Sequence, residues 1–199
     1  MLETADFYHV FALLTPAEQD IAQRWRSFLL DTVVPIINDY WEAGEFPHQI
    51  IPPLAQLVQE TLVGTERYYP KLSPLLSGWL AMEMGRAEPS LGSFYGVHKR
   101  LCMNSIYRYG SEAQKEQWLP ALRFEKIGSW VLTEPEVGSG AAAGLQTIAT
   151  PTTNGWLLNG QKKWSGNASF ADINVVWAKN TATGQVNGFL VEKGMPGYH

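Results

Sequence analysis

The chain has 199 residues, of which 45% are hydrophobic and 17% charged, so it can bury the core of one or two compact domains. A formal net charge of −4 offers no basic surface for nucleic acid or for an anionic membrane, and we exclude both as partners. The single cysteine, Cys102, leaves no internal disulfide or paired-thiol zinc site and indicates a reducing compartment, with the cytoplasm as the expected location.

The first part of the chain carries helix signals. Thr15-Pro16-Ala17-Glu18 combines a capping hydroxyl, a proline at the first helical position and a glutamate that can reach back, so a helix should begin there. Ser111 followed by Gln114 predicts a second capping box, and Gly110 should end the preceding helix in a left-handed conformation. Further helices are predicted over about 49–58, 74–88 and 90–109.

The composition changes after Lys126, where β-branched and aromatic residues appear in short runs separated by turn residues. Strands are predicted over 146–153, 156–164, 173–179 and 186–192. Asn154-Gly155 predicts a tight hairpin turn with positive φ at both positions, and Thr183-Gly184 is a weaker turn signal. The fold class is therefore α+β, with helices over 1–126 and antiparallel strands over 127–199.

The most informative segment is 128–140, a strand that breaks at Pro135 into a loop of glycine and serine. The backbone amides of such a loop can bind a phosphate, although an ordinary turn accounts for it as well. Gly138-x-Gly140-x-x-Ala143 also fits a loose dinucleotide-binding pattern, but helices precede it and a strand follows, so we reject that interpretation. The acidic pair Glu134 and Glu136 is given no catalytic role.

The sequence predicts no membrane-spanning helix, no metal site and no targeting peptide. The longest apolar runs are shorter than the ~18 residues that a membrane-spanning helix needs. The four histidines are scattered without metal-ligand spacing, so no metal is expected. The first ten residues carry two acids and no base, which predicts neither a signal peptide nor a transit peptide.

Four segments, in order, resemble the acyl-CoA dehydrogenase and acyl-CoA oxidase flavoprotein family. They are YGSEAQKEQWLP at 109–120, WVLTEPEVGS at 130–139, LNGQKKWSGN at 158–167 and GFLVEKG at 188–194. The resemblance covers essentially the whole chain and is closest to the glutaryl-CoA dehydrogenase and plant short-chain acyl-CoA oxidase branch. It implies a helical N-terminal domain over 1–126, part of an antiparallel β-barrel-like middle domain over 127–199, and no C-terminal helical domain.

The resemblance also implies FAD as the cofactor. Its binding residues would be Trp130, Val131, Leu132, Thr133, Ser139, Trp164, Ser165 and Gly166. In such proteins the first four hold the edge of the flavin ring, Trp164 covers the ring, and Ser139 lies near the FAD phosphates and the acyl-CoA chain. Glycines stand where relatives commonly have Asp (Gly140) and Thr (Gly166), each a lost polar contact to FAD.

The reaction implied is the FAD-dependent oxidation of an acyl-CoA thioester to the 2,3-enoyl-CoA, an oxidoreductase step of fatty acid metabolism. The glutamate base is expected in the absent C-terminal domain, so we assign no catalytic residue here and expect a C-terminal-half polypeptide or a homo-oligomer partner. Gly92 replaces the arginine that pairs a dicarboxyl substrate, which favours a simple short acyl chain. The alternatives are a truncated, non-catalytic module that binds acyl-CoA or a protein, and a structural helical scaffold.

Overall fold

The computed structural model describes residues 6–62, 72–140 and 144–199. The chain forms two compact units, Met1–Ser93 and Phe94–His199, which are treated in turn. Within the described ranges, no helix is long and apolar enough to cross a membrane.

The first unit is helical. Its α-helices are α1 (Pro16–Phe28), α2 (Val34–Ala43), α3 (Ile51–Thr61) and α4 (Pro74–Ala87), with 3-10 turns at Val10–Leu13 and His48–Ile50 and a π-helical turn at Leu29–Val33. The predicted capping box is confirmed, because the Glu18 amide donates to the Thr15 hydroxyl (3.3 Å) and the Thr15 amide donates to the Glu18 carboxylate (2.9 Å). Buried Trp25 joins α1 to α3 by donating to the Thr61 hydroxyl at 3.0 Å.

A long helical stretch carries the chain into the second unit. It consists of α5 (Pro89–Tyr95), the π-helical segment Gly96–Met103 and α6 (Asn104–Tyr109), and α7 (Glu112–Trp118) follows behind the predicted Ser111 capping box. The prediction for Gly110 was wrong, since its φ is −71°. Glycine is required for a different reason: a Cβ there would lie 2.5 Å from the Ile106 carbonyl oxygen.

The rest of the second unit is a sheet of five strands. They are β1 (Gly128–Val131), β2 (Ile148–Thr152), β3 (Gly155–Asn159), β4 (Ile173–Asn180) and β5 (Val186–Glu192). Strand β4 pairs with β1 and β2 in parallel and with β5 in antiparallel orientation, while β2 and β3 form an antiparallel hairpin. The predicted order of helices followed by strands is confirmed, but the sheet is mixed rather than antiparallel. Long crossovers separate β1 and β2 from β4, and such connections allow parallel pairing.

Both predicted hairpin turns exist, with one shift. Thr152 pairs with Gly155, so the central residues of the first turn are Thr153 and Asn154, one position earlier than predicted. Of Thr153, Asn154 and Gly155, only Gly155 has a positive φ, which is 138°. The prediction of a positive φ at Asn154 was therefore wrong. In the second turn, Gly184 has a φ of 72°, the left-handed geometry that favours glycine.

The start of β1 lies close against the π-helical segment. Gly128 is buried, and a Cβ at this position would overlap the Sγ of Cys102. The absence of a side chain therefore lets the strand approach the helix directly. This contact fixes the strand whose end carries the predicted FAD-binding residues.

Candidate functional site

Two segments that are distant in sequence lie side by side in the second unit. We call residues 130–133 the Thr133 segment and residues 164–166 the Trp164 segment. The Lys163 amide donates to the Thr133 carbonyl at 3.0 Å, the Lys162 ammonium donates to the Leu132 carbonyl at 2.9 Å, and the Ser129 hydroxyl donates to the Gly166 carbonyl at 2.8 Å. The structure thus joins seven of the eight predicted cofactor residues into one surface region.

Trp164 is presented to the outside in a strained conformation. Its φ is 57°, in the left-handed region that bulky residues rarely adopt, and the side chain is 81% exposed. The Lys163 ammonium lies 4.0 Å from the centroid of the indole ring. A large aromatic held exposed at a conformational cost of about 1–3 kcal/mol is typical of a binding surface.

Ser165 offers a polar atom with no partner. Its Oγ is buried, yet it forms no hydrogen bond with the residues that the structure describes. An unsatisfied buried hydroxyl costs about 1–3 kcal/mol, and a ligand with a polar group can recover that cost. The exposed ring of the adjoining Trp164 is the part of this segment that a planar ligand, such as a flavin ring, can reach directly.

Ser139 is placed differently from the other predicted residues. It follows a tight turn in which the Glu134 amide donates to the Gly138 carbonyl (2.9 Å) and the Gly138 amide donates back to the Glu134 carbonyl (3.1 Å). Ser139 and Gly140 are exposed at the end of that turn. No described hydrogen bond joins Ser139 to the Thr133 or Trp164 segment. Ala143, the last position of the rejected dinucleotide pattern, lies outside the described residues.

Sequence reasoning missed the ion pair that fastens the region. The Glu134 carboxylate, 2% exposed, accepts from the Lys162 ammonium (2.8 Å), the Thr147 amide (2.9 Å) and the Gln146 amide (2.7 Å). Burial alone would raise the pKa of Glu134, but these hydrogen bonds outweigh it and lower the pKa to about 2. A carboxylate so engaged is a poor base for proton transfer near neutral pH.

His98 and Asn167 fix the start of β1. The Gly128 amide donates to His98 Nδ1 at 3.0 Å, so the proton is on Nε2, which donates to the Leu122 carbonyl at 2.8 Å. The Asn167 amide donates to the carbonyls of Gly128 (3.2 Å) and Phe94 (3.1 Å). The backbone amide and the backbone carbonyl of Gly128 are therefore each hydrogen-bonded to a side chain. Asn167 ends the segment quoted at 158–167 but was given no role, and His98 carried no signal because it is isolated in the sequence.

A clustered metal site is not found among the described residues, which contain no group of three or more His, Cys, Asp or Glu side chains arranged to hold an ion. Buried Cys102 is also unreactive, because burial raises the pKa of its thiol to about 12.

Gly166 is explained by a neighbouring side chain. A Cβ at this position would lie 2.8 Å from Cγ2 of Val97. We expect Gly166→Ala to lower the free energy of unfolding by about 1 kcal/mol, since Val97 has to shift. In a Val97→Ala background the same change should cost less than half as much, as measured by urea unfolding of the four proteins of the cycle. Equal costs in both backgrounds would contradict this explanation.

Comparison with known proteins gives the family. The family model of the acyl-CoA dehydrogenase N-terminal domain matches residues 15–123, and that of the middle domain matches residues 129–199. The mitochondrial isovaleryl-CoA dehydrogenase of Pongo abelii is 40% identical over 194 residues, which are 93% of this chain and 46% of the relative. A short-chain-specific acyl-CoA dehydrogenase of Clostridium acetobutylicum is 29% identical over 93% of this chain and 50% of its own.

The fold of this chain also matches solved structures of proteins from this family. A glutaryl-CoA dehydrogenase from Mycobacterium smegmatis in complex with FADH2 superposes with a TM-score of 0.86 and 34% identity, covering 100% of this chain and 50% of its own. The butyryl-CoA dehydrogenase of Megasphaera elsdenii gives 0.82 and 29%, covering 92% and 50%. The chain thus spans about half the length of the relatives it matches. The predicted family is confirmed: this chain belongs to the acyl-CoA dehydrogenase family.

Proposed function

We propose that the chain provides the FAD-binding N-terminal and middle domains, 1–126 and 127–199, of a flavoenzyme that oxidises an acyl-CoA thioester to the 2,3-enoyl-CoA. The observation that carries the proposal is the junction of the Thr133 and Trp164 segments, with Trp164 exposed beside the unpartnered Ser165 hydroxyl. The M. smegmatis relative of the same fold is a complex with FADH2, which supports FAD as the ligand.

Each predicted residue has a role that its position allows. Trp164 would stack on the flavin ring, and the Thr133 and Ser165 hydroxyls would bond its polar edge. Ser139, exposed after the turn at Gly138, would meet the phosphates and the acyl-CoA chain. FAD, when bound, supplies the acceptor for the hydride that leaves the β-carbon of the substrate.

We assign the removal of the α-proton to none of the described residues of this region. Glu134, the buried carboxylate in this region, is committed to Lys162 and two backbone amides. We therefore propose that the base comes from a polypeptide segment beyond this chain or from a partner subunit, held within reach of the flavin.

A short monocarboxylic acyl group is the proposed substrate. Gly92 provides no cation to pair with a distal carboxylate, and a Cβ there would be in ordinary contact, 3.7 Å from Met84. The names of the relatives point to short chains, including isovaleryl-CoA and butyryl-CoA. The proposed location is the cytoplasm, on the ground of the single buried thiol of Cys102, although the isovaleryl-CoA relatives are mitochondrial by name.

The visible absorption of the protein tests the proposal. After FAD is added and excess is removed by gel filtration, we expect about one flavin retained per chain. Trp164→Leu should weaken retention about tenfold through the loss of stacking. Trp156→Leu is the matched control, since Trp156 is also exposed (46%) but lies on β3, and it should retain the flavin. A colourless natural protein would contradict the proposal and favour a non-catalytic module that binds acyl-CoA or a protein.

A further inference from the structure

Two consecutive lysines precede Trp164, and they point in different directions. Lys162 points inward: its side chain is 11% exposed, and its ammonium donates to the Leu132 carbonyl and the Glu134 carboxylate. Lys163 points outward, with its backbone amide on the Thr133 carbonyl (3.0 Å) and its ammonium over the indole ring of Trp164 (4.0 Å). The backbone of Lys163 is therefore held by its own hydrogen bond to Thr133 and by the contacts of the preceding Lys162.

The contact between Lys163 and Trp164 differs from the other lysine–aromatic contacts in this unit. Lys126 lies 5.4 Å from the Trp118 ring and Lys99 lies 5.4 Å from the Tyr95 ring, and these aromatic residues are only 6% and 3% exposed. The positions of both rings are therefore already determined by the surrounding core. Trp164 is 81% exposed, so no such core restrains its ring, and the cation 4.0 Å away is a contact that can select its rotamer.

We propose that Lys163 is a positioning residue for the flavin and acts through Trp164. Its ammonium occupies one face of the indole, holds the ring in a single rotamer and leaves the opposite face for the flavin to stack on. This inference rests on the proposed function, since it assumes that Trp164 contacts FAD. A planar ligand that finds the indole already ordered loses less conformational entropy on binding.

The order of the indole can be measured without cofactor. In protein labelled with fluorotryptophan, the resonance of Trp164 is assigned as the one missing from Trp164→Phe. We expect Lys163→Met to shift and broaden that resonance, and Lys163→Arg, which retains a cation over the ring, to restore it. Lys193→Met is the control, because Lys193 is exposed and its removal changes the net charge equally.

The second measurement is FAD affinity. Lys163→Met should weaken binding about two- to fivefold, the range of an exposed cation–π contact, and have no effect in a Trp164→Leu background. The same weakening in that background would show that Lys163 acts directly on FAD, and tighter binding would show that the flavin uses the face that Lys163 covers. Either result overturns the inference, as does an unchanged Trp164 resonance in protein that retains FAD. Failure of the natural protein to bind FAD overturns the proposed function as well.

Discussion

Replacing Glu134 by Gln is expected to lower the free energy of unfolding by about 3 kcal/mol. The Glu134 carboxylate is 2% exposed and accepts three hydrogen bonds, two of them from the backbone at the entrance to β2. The substitution removes the carboxylate charge and leaves the ammonium of Lys162, whose side chain is 11% exposed, without a counter-ion. An uncompensated buried charge costs more than the pair contributes, so the single substitution has a large effect.

Urea unfolding of three variants checks this prediction. Glu136→Gln is the matched control: Glu136 lies two residues further on and is exposed, so the loss should stay within about 0.5 kcal/mol. The double variant Glu134→Gln with Lys162→Met should recover part of the lost stability, since no unpaired charge remains. If Glu134→Gln proves as mild as Glu136→Gln, the ion pair does not hold this region together.

Local signals were the reliable part of the sequence. Thr15 and Ser111 each start a helix as predicted, because a cap and its partner lie within three residues of each other. The strand predicted over 186–192 is found with the same bounds, since hydrophobic residues and flanking turns define it locally.

Contacts between distant residues could not be predicted in the same way. Nothing local to β1 or β2 shows that each pairs in parallel with β4, because pairing depends on how a long crossover returns. Gly110 is explained by the Ile106 carbonyl rather than by its own φ, which only the folded helix end reveals.

The candidate site shows the same limit. The order of the motifs identified the Thr133 and Trp164 segments, but without the resemblance the loop after Pro135 suited an ordinary turn equally well. Glu134 and Lys162 are 28 residues apart, and His98 and Gly128 are 30 apart. The first pair joins two of the motifs, and the second joins β1 to a histidine with no signal of its own. A single sequence therefore indicates which segments form the candidate site, but not which residues hydrogen-bond across it.

Acidification below about pH 6.5 should destabilise the protein through His98. The pKa of His98 is lowered to about 4, chiefly by burial, with the Leu122 hydrogen bond opposing the shift and the nearby Lys99 charge adding to it. In the unfolded chain a histidine has a pKa near 6.5, so between these values the unfolded state binds more protons than the native state. Stability is therefore complete above about pH 6.5 and falls as the pH drops towards 4, by about 3 kcal/mol in total.

The variant His98→Asn separates this effect from other titrations. Its side-chain oxygen can still accept from the Gly128 amide, while the bond to the Leu122 carbonyl is lost, so we expect lower stability at neutral pH but a flatter pH profile. Glu134, with its pKa near 2, loses its contribution only as the pH falls below about 4.5, and Lys99, whose pKa burial lowers to about 8, titrates above the window. Urea unfolding of both proteins at several pH values between 6.5 and 4 decides the matter. Parallel profiles would show that His98 is not the group whose protonation opposes folding, whereas a slope present only in the natural protein would assign the acid sensitivity to the histidine that holds β1 in place.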